Sequence, residues 1–261
     1  MIKSENELRS EVVEIGRWIH RLGFVAGYDG NITARLDDRR ILSTPTAICK
    51  SMMQSDDLVV VDYEGQKVSG HRTVTSEIAM HLLIYKQRPD VHGIVHAHPP
   101  TATGYAAAGL PLDKALVSEV VLALGSIPLA RYATPGTAGL GEALLPLVGS
   151  HDAILMANHG VVAYGADLMR AYFNMETVEH FAKISLVTEL LGRQVLLSGN
   201  HVEELISART RYFGSNGSPS EGPCSRSASE GVQESSDRLN VSSEDLTAMA
   251  SEVVKNLKSR S

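Results

Sequence analysis

Apolar residues recur along most of the chain with two different periods. Leu8, Val12, Ile15, Trp18, Ile19 and Leu22 fall three or four positions apart, which predicts a helix with one buried face, ended by Gly23. GYDGNITARL then switches to alternation and predicts a turn at Gly27 and Gly30 followed by a short strand. ILSTPTA reads as a strand running into a loop, and LVVVDYEGQKVSG as a hairpin turning at Glu64-Gly65. TSEIAMHLLIYKQRP predicts a helix capped by Thr75 or Ser76, with Pro89 beyond its end. A short buried strand follows at GIVHAHPP, then a helix after Pro100. Further on come a strand at IPLARY, a helix through GLGEALLPLVG, a strand at AILMANHG, and a long helix from about Leu168 to Leu191.

Strands and helices thus alternate over residues 1–213, the signature of a layered α/β domain. The pattern then stops. Residues 214–240 are rich in Ser, Gly, Pro and Glu with almost nothing to bury, which predicts a flexible, disordered linker. Residues 241–261 return to helical periodicity. From Val241 to Lys258, Leu246, Met249, Ala250, Val253 and Leu257 form one apolar stripe, with Ser242 and Asp245 as a capping pair. A helix this short is marginal alone in water, so the stripe predicts a docking partner.

Composition narrows the class. The chain has 261 residues, 43% of them hydrophobic, enough for one sizeable core. Its formal net charge is -6 and no basic stripe is present, which argues against nucleic acid as a partner. The two cysteines, Cys49 and Cys224, are too far apart to suggest a disulfide framework or a metal-ligand pair, and fit a reducing compartment. The first residues lack an apolar leader segment, and no apolar run approaches the roughly 20 residues that cross a bilayer. The expectation is a soluble, cytoplasmic protein with no membrane partner.

The sharpest chemical signal is His96-Ala97-His98 within an apolar strand. Side chains at i and i+2 leave a strand on one face, and two buried imidazoles there are costly unless they share a partner such as a divalent metal. His159, in NHG after another apolar strand, could supply a third nitrogen; three nitrogens with one open position describe a catalytic zinc site. Glu77 falls in the first turn of its helix, where an acid also suits the helix dipole. His81 is one turn further on the same face, and is read as supporting the site or the core rather than as a ligand. Gly30-Asn31, Thr46-Ala47 and Thr75-Ser76 offer hydroxyls, an amide and backbone N–H groups, the parts of an anion cradle. Taken singly, each is also an ordinary turn or cap.

The ordered set GNIT, STPTA, TSE, VHAHP, RYATPGT and NHG, spread over roughly residues 5–213, resembles the class II aldolase/adducin family, which includes L-fuculose-1-phosphate and L-rhamnulose-1-phosphate aldolases. The resemblance implies a three-layer fold, with a central, mostly antiparallel sheet flanked by helices, and a homotetramer with active sites between subunits. It gives His96, His98 and His159 the role of ligands to Zn2+ or another divalent metal, and Glu77 that of acid/base. Gly30, Asn31, Thr46, Ala47, Thr75 and Ser76 fall where the family holds a substrate phosphate. The implied reaction is cleavage of a ketose 1-phosphate to dihydroxyacetone phosphate and an aldehyde such as lactaldehyde.

Two departures stand out. The family's Thr-Gly loop reads Thr46-Ala47 here. A family tyrosine is missing from KALVSEVVLALG, which instead carries Glu119, near where related sugar-phosphate dehydratases place an acid/base glutamate. A second family tyrosine is matched by Tyr212. Dehydratase, 4-epimerase and decarboxylase activities are competing readings on this scaffold, and an adducin-like binding module is a non-catalytic one. The linker and terminal amphipathic stretch resemble the encapsulation peptides of bacterial microcompartment enzymes, which implies a shell or core protein as partner for Val241–Lys258.

Overall fold

The computed structural model describes residues 3–213; the expectations for 214–240 and 241–261 lie outside the described residues. The first helix, α1 (Glu5–Arg21), opens on a capping box in which the Ser4 hydroxyl accepts from the Glu7 N–H and the Glu7 carboxylate accepts from the Ser4 N–H. Its Val12, Ile15 and Ile19 are buried as the spacing predicts. Leu22 is not: it follows the last turn as C-cap, rotated off the stripe, and is exposed.

The remaining elements run in order β1 (Asn31–Arg35), β2 (Arg40–Ser43), β3 (Val59–Asp62), β4 (Lys67–Ser69), α2 (Ile78–Gln87), β5 (Gly93–Ala97), α3 (Pro100–Ala107), α4 (Ser118–Ala123), β6 (Leu129–Ala130), α5 (Ala138–Val148), β7 (Ala153–Met156), β8 (Gly160–Gly165), α6 (Leu168–Leu190) and α7 (Gly199–Phe213). The strands form one eight-stranded sheet in the order β4-β3-β2-β1-β5-β8-β7-β6. Its neighbours pair antiparallel except β6 and β7. The fold is therefore α/β, a mostly antiparallel sheet flanked by helices.

Alternation along the central strands splits the core in two. Ile32, Ala34, Val95, Ala97, Val161 and Ala163 join the cluster built with α1, α3 and α6. Ile94, Val162 and Tyr164 join a second cluster, with Met80, Ile84 and Tyr85 of α2 and Leu140 and Leu144 of α5. The polar residues Asn31, Thr33 and His96 alternate with the first set, so they share the face under α2.

Two expectations are corrected, and one strand was not foreseen. Neither Thr75 nor Ser76 caps α2; its N-cap is Glu77, and Thr75 Oγ1 instead accepts from the Glu77 N–H at 3.4 Å. A bridge between Pro45 and Val74 holds the chain extended just before this point, which delays the helix. IPLARY forms only a two-residue strand, because Pro128 has no N–H to pair and contributes its carbonyl alone, to Leu155 N at 2.9 Å. β8 was concealed by a turn of only three residues after β7. Among the described residues, no helix is long and apolar enough to cross a membrane.

Candidate metal centre

Register builds the site. β1 pairs with β5 so that Asn31 sits opposite His96, while β5 pairs with β8 so that His96 sits opposite Val162. Two residues beyond His96, just past the strand end, His98 continues on the same face. His159 comes from the 157–159 turn of the β7–β8 hairpin, where Asn158 takes φ 54°, a left-handed conformation that Asn tolerates, and His159 N donates to Met156 O at 3.0 Å. One ring nitrogen from each of His96, His98 and His159 lies within 4.8 Å of the others. Gly30 makes the approach possible: at φ +72°, any Cβ there would stand 2.8 Å from the His96 carbonyl and 2.6 Å from Val25 Cγ1.

The ring orientations suit a cation. His96 is fully buried and its Nδ1 donates to Val161 O at 2.8 Å, which leaves Nε2 as the nitrogen that faces the cluster. That Nε2 faces His98 Nε2 at 3.2 Å, close to the roughly 3.3 Å between adjacent donors of a tetrahedral site with bonds of about 2.0–2.1 Å. His98 Nδ1 lies 3.4 Å from Asp29 Oδ2. Glu77 completes the group, with Oε2 3.2 Å from His96 Nε2 and Oε1 3.3 Å from His159 Nε2. Glu77 Oε1 is buried without a hydrogen-bond partner, as expected of a group whose natural partner is an ion. The residues present therefore fit a divalent metal.

Electrostatics agree. Burial pushes the Glu77 carboxyl up, but His96 and the Asn31 amide outweigh it and hold the group well below the usual carboxylate range. Burial, with the neighbouring His96, pushes His159 down to about 4 and lowers His98 as well. Neutral imidazoles beside an ionised carboxylate are what a cation needs.

Among the residues expected to cradle an anion, the Thr46-Ala47 loop is tied to the stretch that immediately precedes Thr75-Ser76. Pro45 bridges Val74, and Thr46 N donates to Thr73 O at 3.0 Å. Ala47 is exposed at φ 55°, so the loop keeps the shape a glycine would give it. The Asn31 side chain points toward Glu77 and His81, because it lies on the sheet face that α2 covers. Glu119 lies apart from the histidines of its own chain. It is exposed on α4, which packs against α6 and α7, and no hydrogen bond or ion pair joins it to the histidines within this chain. Tyr212 lies in the last turn of α7.

The sequence reading missed Asp29, Thr33 and Tyr85. The signal for the last two was present: polar residues at i and i+2 of β1, and at i, i+4 and i+8 beside α2, in otherwise apolar elements.

Residues 10–186 match the family described as Class II Aldolase and Adducin N-terminal domain. A 3-oxo-tetronate 4-phosphate decarboxylase of Pectobacterium atrosepticum is 35% identical over 190 residues, 71% of this chain and 87% of the relative. A 5-deoxy-D-ribulose 1-phosphate aldolase of Bacillus thuringiensis is 30% identical over 199 residues, 76% of this chain and 92% of the relative. The solved structure of an L-fuculose 1-phosphate aldolase superposes with a TM-score of 0.72 at 30% identity, covering 77% of this chain and 95% of the other.

Proposed function

Because the chain belongs to the class II aldolase and adducin family, we propose that it is a metal-dependent carbon–carbon lyase that produces dihydroxyacetone phosphate from a short phosphorylated sugar. The observation that carries this reading is the buried group of His96, His98, His159 and Glu77, with an unpartnered carboxylate oxygen at its centre. The cation we expect there is zinc.

The names of the relatives converge on one substrate fragment. A ketose 1-phosphate and a 3-oxo-tetronate 4-phosphate both contain a carbinol carbon, a ketone and a phosphorylated CH2 in sequence. Breaking the bond beyond the carbinol leaves the same enediolate in either case, and hence the same product. Only the other fragment differs: an aldehyde in aldol cleavage, carbon dioxide in decarboxylation. Aldol cleavage of a fuculose- or rhamnulose-type 1-phosphate, releasing lactaldehyde, is the first reading. Decarboxylation is the second, favoured by the 35% identity to the Pectobacterium enzyme.

A bound divalent cation supplies Lewis-acid stabilisation of the enediolate charge. Glu77 is the carboxylate placed to carry the proton. In aldol cleavage it accepts the hydroxyl proton of the departing carbon while the bonding pair moves into the enediolate, then returns that proton to carbon. In decarboxylation the bonding pair moves the same way and carbon dioxide leaves without releasing a proton, so the proton that Glu77 passes to carbon would first be taken from solvent water. Thr46, Ala47, Thr75 and Ser76 would face the phosphate.

In this reading the chain works as a homotetramer, and Glu119 and Tyr212 reach a neighbouring copy's site. Val241–Lys258 directs the enzyme to a microcompartment, a role tested by fusing residues 214–261 to a fluorescent protein in a host that makes the shells.

The deciding experiment is a product assay, because dihydroxyacetone phosphate alone does not separate the two reactions. L-fuculose 1-phosphate, L-rhamnulose 1-phosphate and 3-oxo-tetronate 4-phosphate are offered to the zinc-loaded protein, and aldehyde and carbon dioxide are measured. Neither product from any of them sinks the lyase reading.

A further inference from the structure

Behind Glu77 runs a chain of hydrogen bonds that ends at a tyrosine. Asn31 Nδ2 lies 2.8 Å from Glu77 Oε2, Asn31 Oδ1 lies 2.5 Å from His81 Nε2, His81 Nδ1 lies 2.8 Å from Thr33 Oγ1, and Thr33 Oγ1 lies 3.0 Å from the Tyr85 hydroxyl. Two periodicities assemble it. Asn31 and Thr33 are i and i+2 on β1; Glu77, His81 and Tyr85 are i, i+4 and i+8 at and along α2. His81 is completely buried and touches neither the three histidines nor Glu77 through a hydrogen bond.

The direction of every proton in this chain follows from its end. An ionised carboxylate only accepts, so the Asn31 NH2 must face Glu77 and its carbonyl oxygen must face His81. His81 Nε2 therefore carries a hydrogen and donates it. A neutral imidazole with Nε2–H has Nδ1 as acceptor, so the Thr33 hydroxyl donates to it. The Thr33 oxygen then accepts from Tyr85. All four bonds point the same way, toward Glu77.

We propose that His81, backed by Thr33 and Tyr85, is the positioning residue that fixes the orientation of the Asn31 amide and so aims the Glu77 carboxylate at the metal. Without a donor at His81, the buried Asn31 carbonyl oxygen loses its partner, only the carboxylate still holds the amide, and the side chain is free to turn away from Glu77 in search of another donor. Burial, with the nearby His96, pushes His81 down to about 3, which keeps the ring neutral and the donor pattern single-valued. Burial also raises the Tyr85 phenol well above its ordinary range, so it stays a donor. The far end is clamped: the Arg35 guanidinium stacks on the Tyr85 ring at 4.9 Å from its centroid and donates to Tyr85 O at 3.0 Å. The catalytic consequence of this device rests on the lyase reading; the device itself does not.

The test has two arms. Nitrogen-15 spectra of the zinc-loaded full chain should show His81 as the neutral Nε2–H tautomer at pH 7, with no substrate needed; an Nδ1–H tautomer or an imidazolium overturns the proposal. In the second arm, His81→Leu should keep its zinc, show the Asn31 amide turned from Glu77 in a crystal structure, and lose about tenfold or more in kcat with KM little changed. Turnover is read as dihydroxyacetone phosphate released from L-fuculose 1-phosphate or 3-oxo-tetronate 4-phosphate. His81→Gln, which restores an N–H near the Nε2 position, should recover most of that loss. Unchanged kcat and an unmoved Asn31 in the leucine variant overturn the proposal, as does a glutamine variant no better than leucine. Should His81→Leu not fold, Thr33→Val preserves shape while removing the donor to Nδ1; an unperturbed His81 spectrum in that variant overturns the proposal too. If neither substrate is turned over, the spectrum and the Asn31 position still decide it, while the lyase reading fails separately.

Discussion

Asp29 Oδ2 stands 3.4 Å from His98 Nδ1, on the side of the ring away from His96 and His159. A carboxylate there fixes the ring's tautomer and raises the basicity of the nitrogen that faces the cluster. Its side chain is half exposed, so solvent weakens the contact. Asp29→Asn is accordingly expected to lower metal affinity by about tenfold, the low end for partners of ligating histidines, with the fold unchanged. A chelator competition titration reads the change; equal affinities would reduce Asp29 to a loop residue.

His96→Ala and Glu77→Gln should fail in different ways. His96 sits in the middle of the donor set, so its loss should empty the site and abolish turnover while circular dichroism stays near native. Glu77→Gln should hold near-stoichiometric metal yet turn over roughly 10²-fold more slowly or worse, as general acid–base catalysis implies. Elemental analysis beside the product assay tells them apart. Normal turnover in the glutamine variant would return Glu77 to the role of a helix-terminal acid.

Acid should weaken the metal-free protein in a defined window. His81 titrates near 6.5 when unfolded and about 3 when folded, so between those values the unfolded chain binds the additional proton. Stability is therefore fully present above about pH 6.5 and declines as the pH falls toward 3. By linkage the cost at pH 5 relative to pH 7 is about 2 kcal/mol for such a histidine, before the similar contribution of His159. Thermal melts of the metal-free protein at pH 7 and pH 5 should show a clear drop, smaller in His81→Gln. Superimposable melts would contradict a neutral buried His81.

The two left-handed loop positions beside the site should respond oppositely. Ala47→Gly relieves a non-glycine residue at φ 55°, worth up to about 1 kcal/mol. Gly30→Ala puts a methyl within 2.8 Å of the His96 carbonyl, which displaces the strand end that carries the histidine. Chemical denaturation should therefore show the first variant at or above wild type and the second below it, with impaired metal retention in Gly30→Ala.

Much of this was legible in the residues. The 3.6 period of α1 and the long α6, and the alternation of β1, survived because one face of each element must be buried. The His96 and His98 pair was visible for the same reason, since their spacing fixes a shared strand face. What escaped depended on contacts between segments. The Thr33 to Tyr85 link spans 52 positions, and Asp29 meets His98 across 69, separations at which local pattern carries no signal. The start of α2 was misplaced because Pro45, 29 positions before Val74, holds it in an extended bridge. The strand pattern reveals the face on which the Asn31 side chain lies, but not that Glu77 and His81 meet it there.

The hydrogen bond from His96 to the Val161 carbonyl makes the cluster a gauge of strand register. One ligand is anchored on β5, another follows it, and the third hangs from the hairpin whose second strand supplies that carbonyl. A slip of one residue between β5 and β8 would invert the facing side chains, remove the carbonyl from His96 and carry His159 out of reach at once. If the site holds an ion as proposed, binding would reward correct register: only a chain that has paired its central strands correctly brings all three nitrogens together.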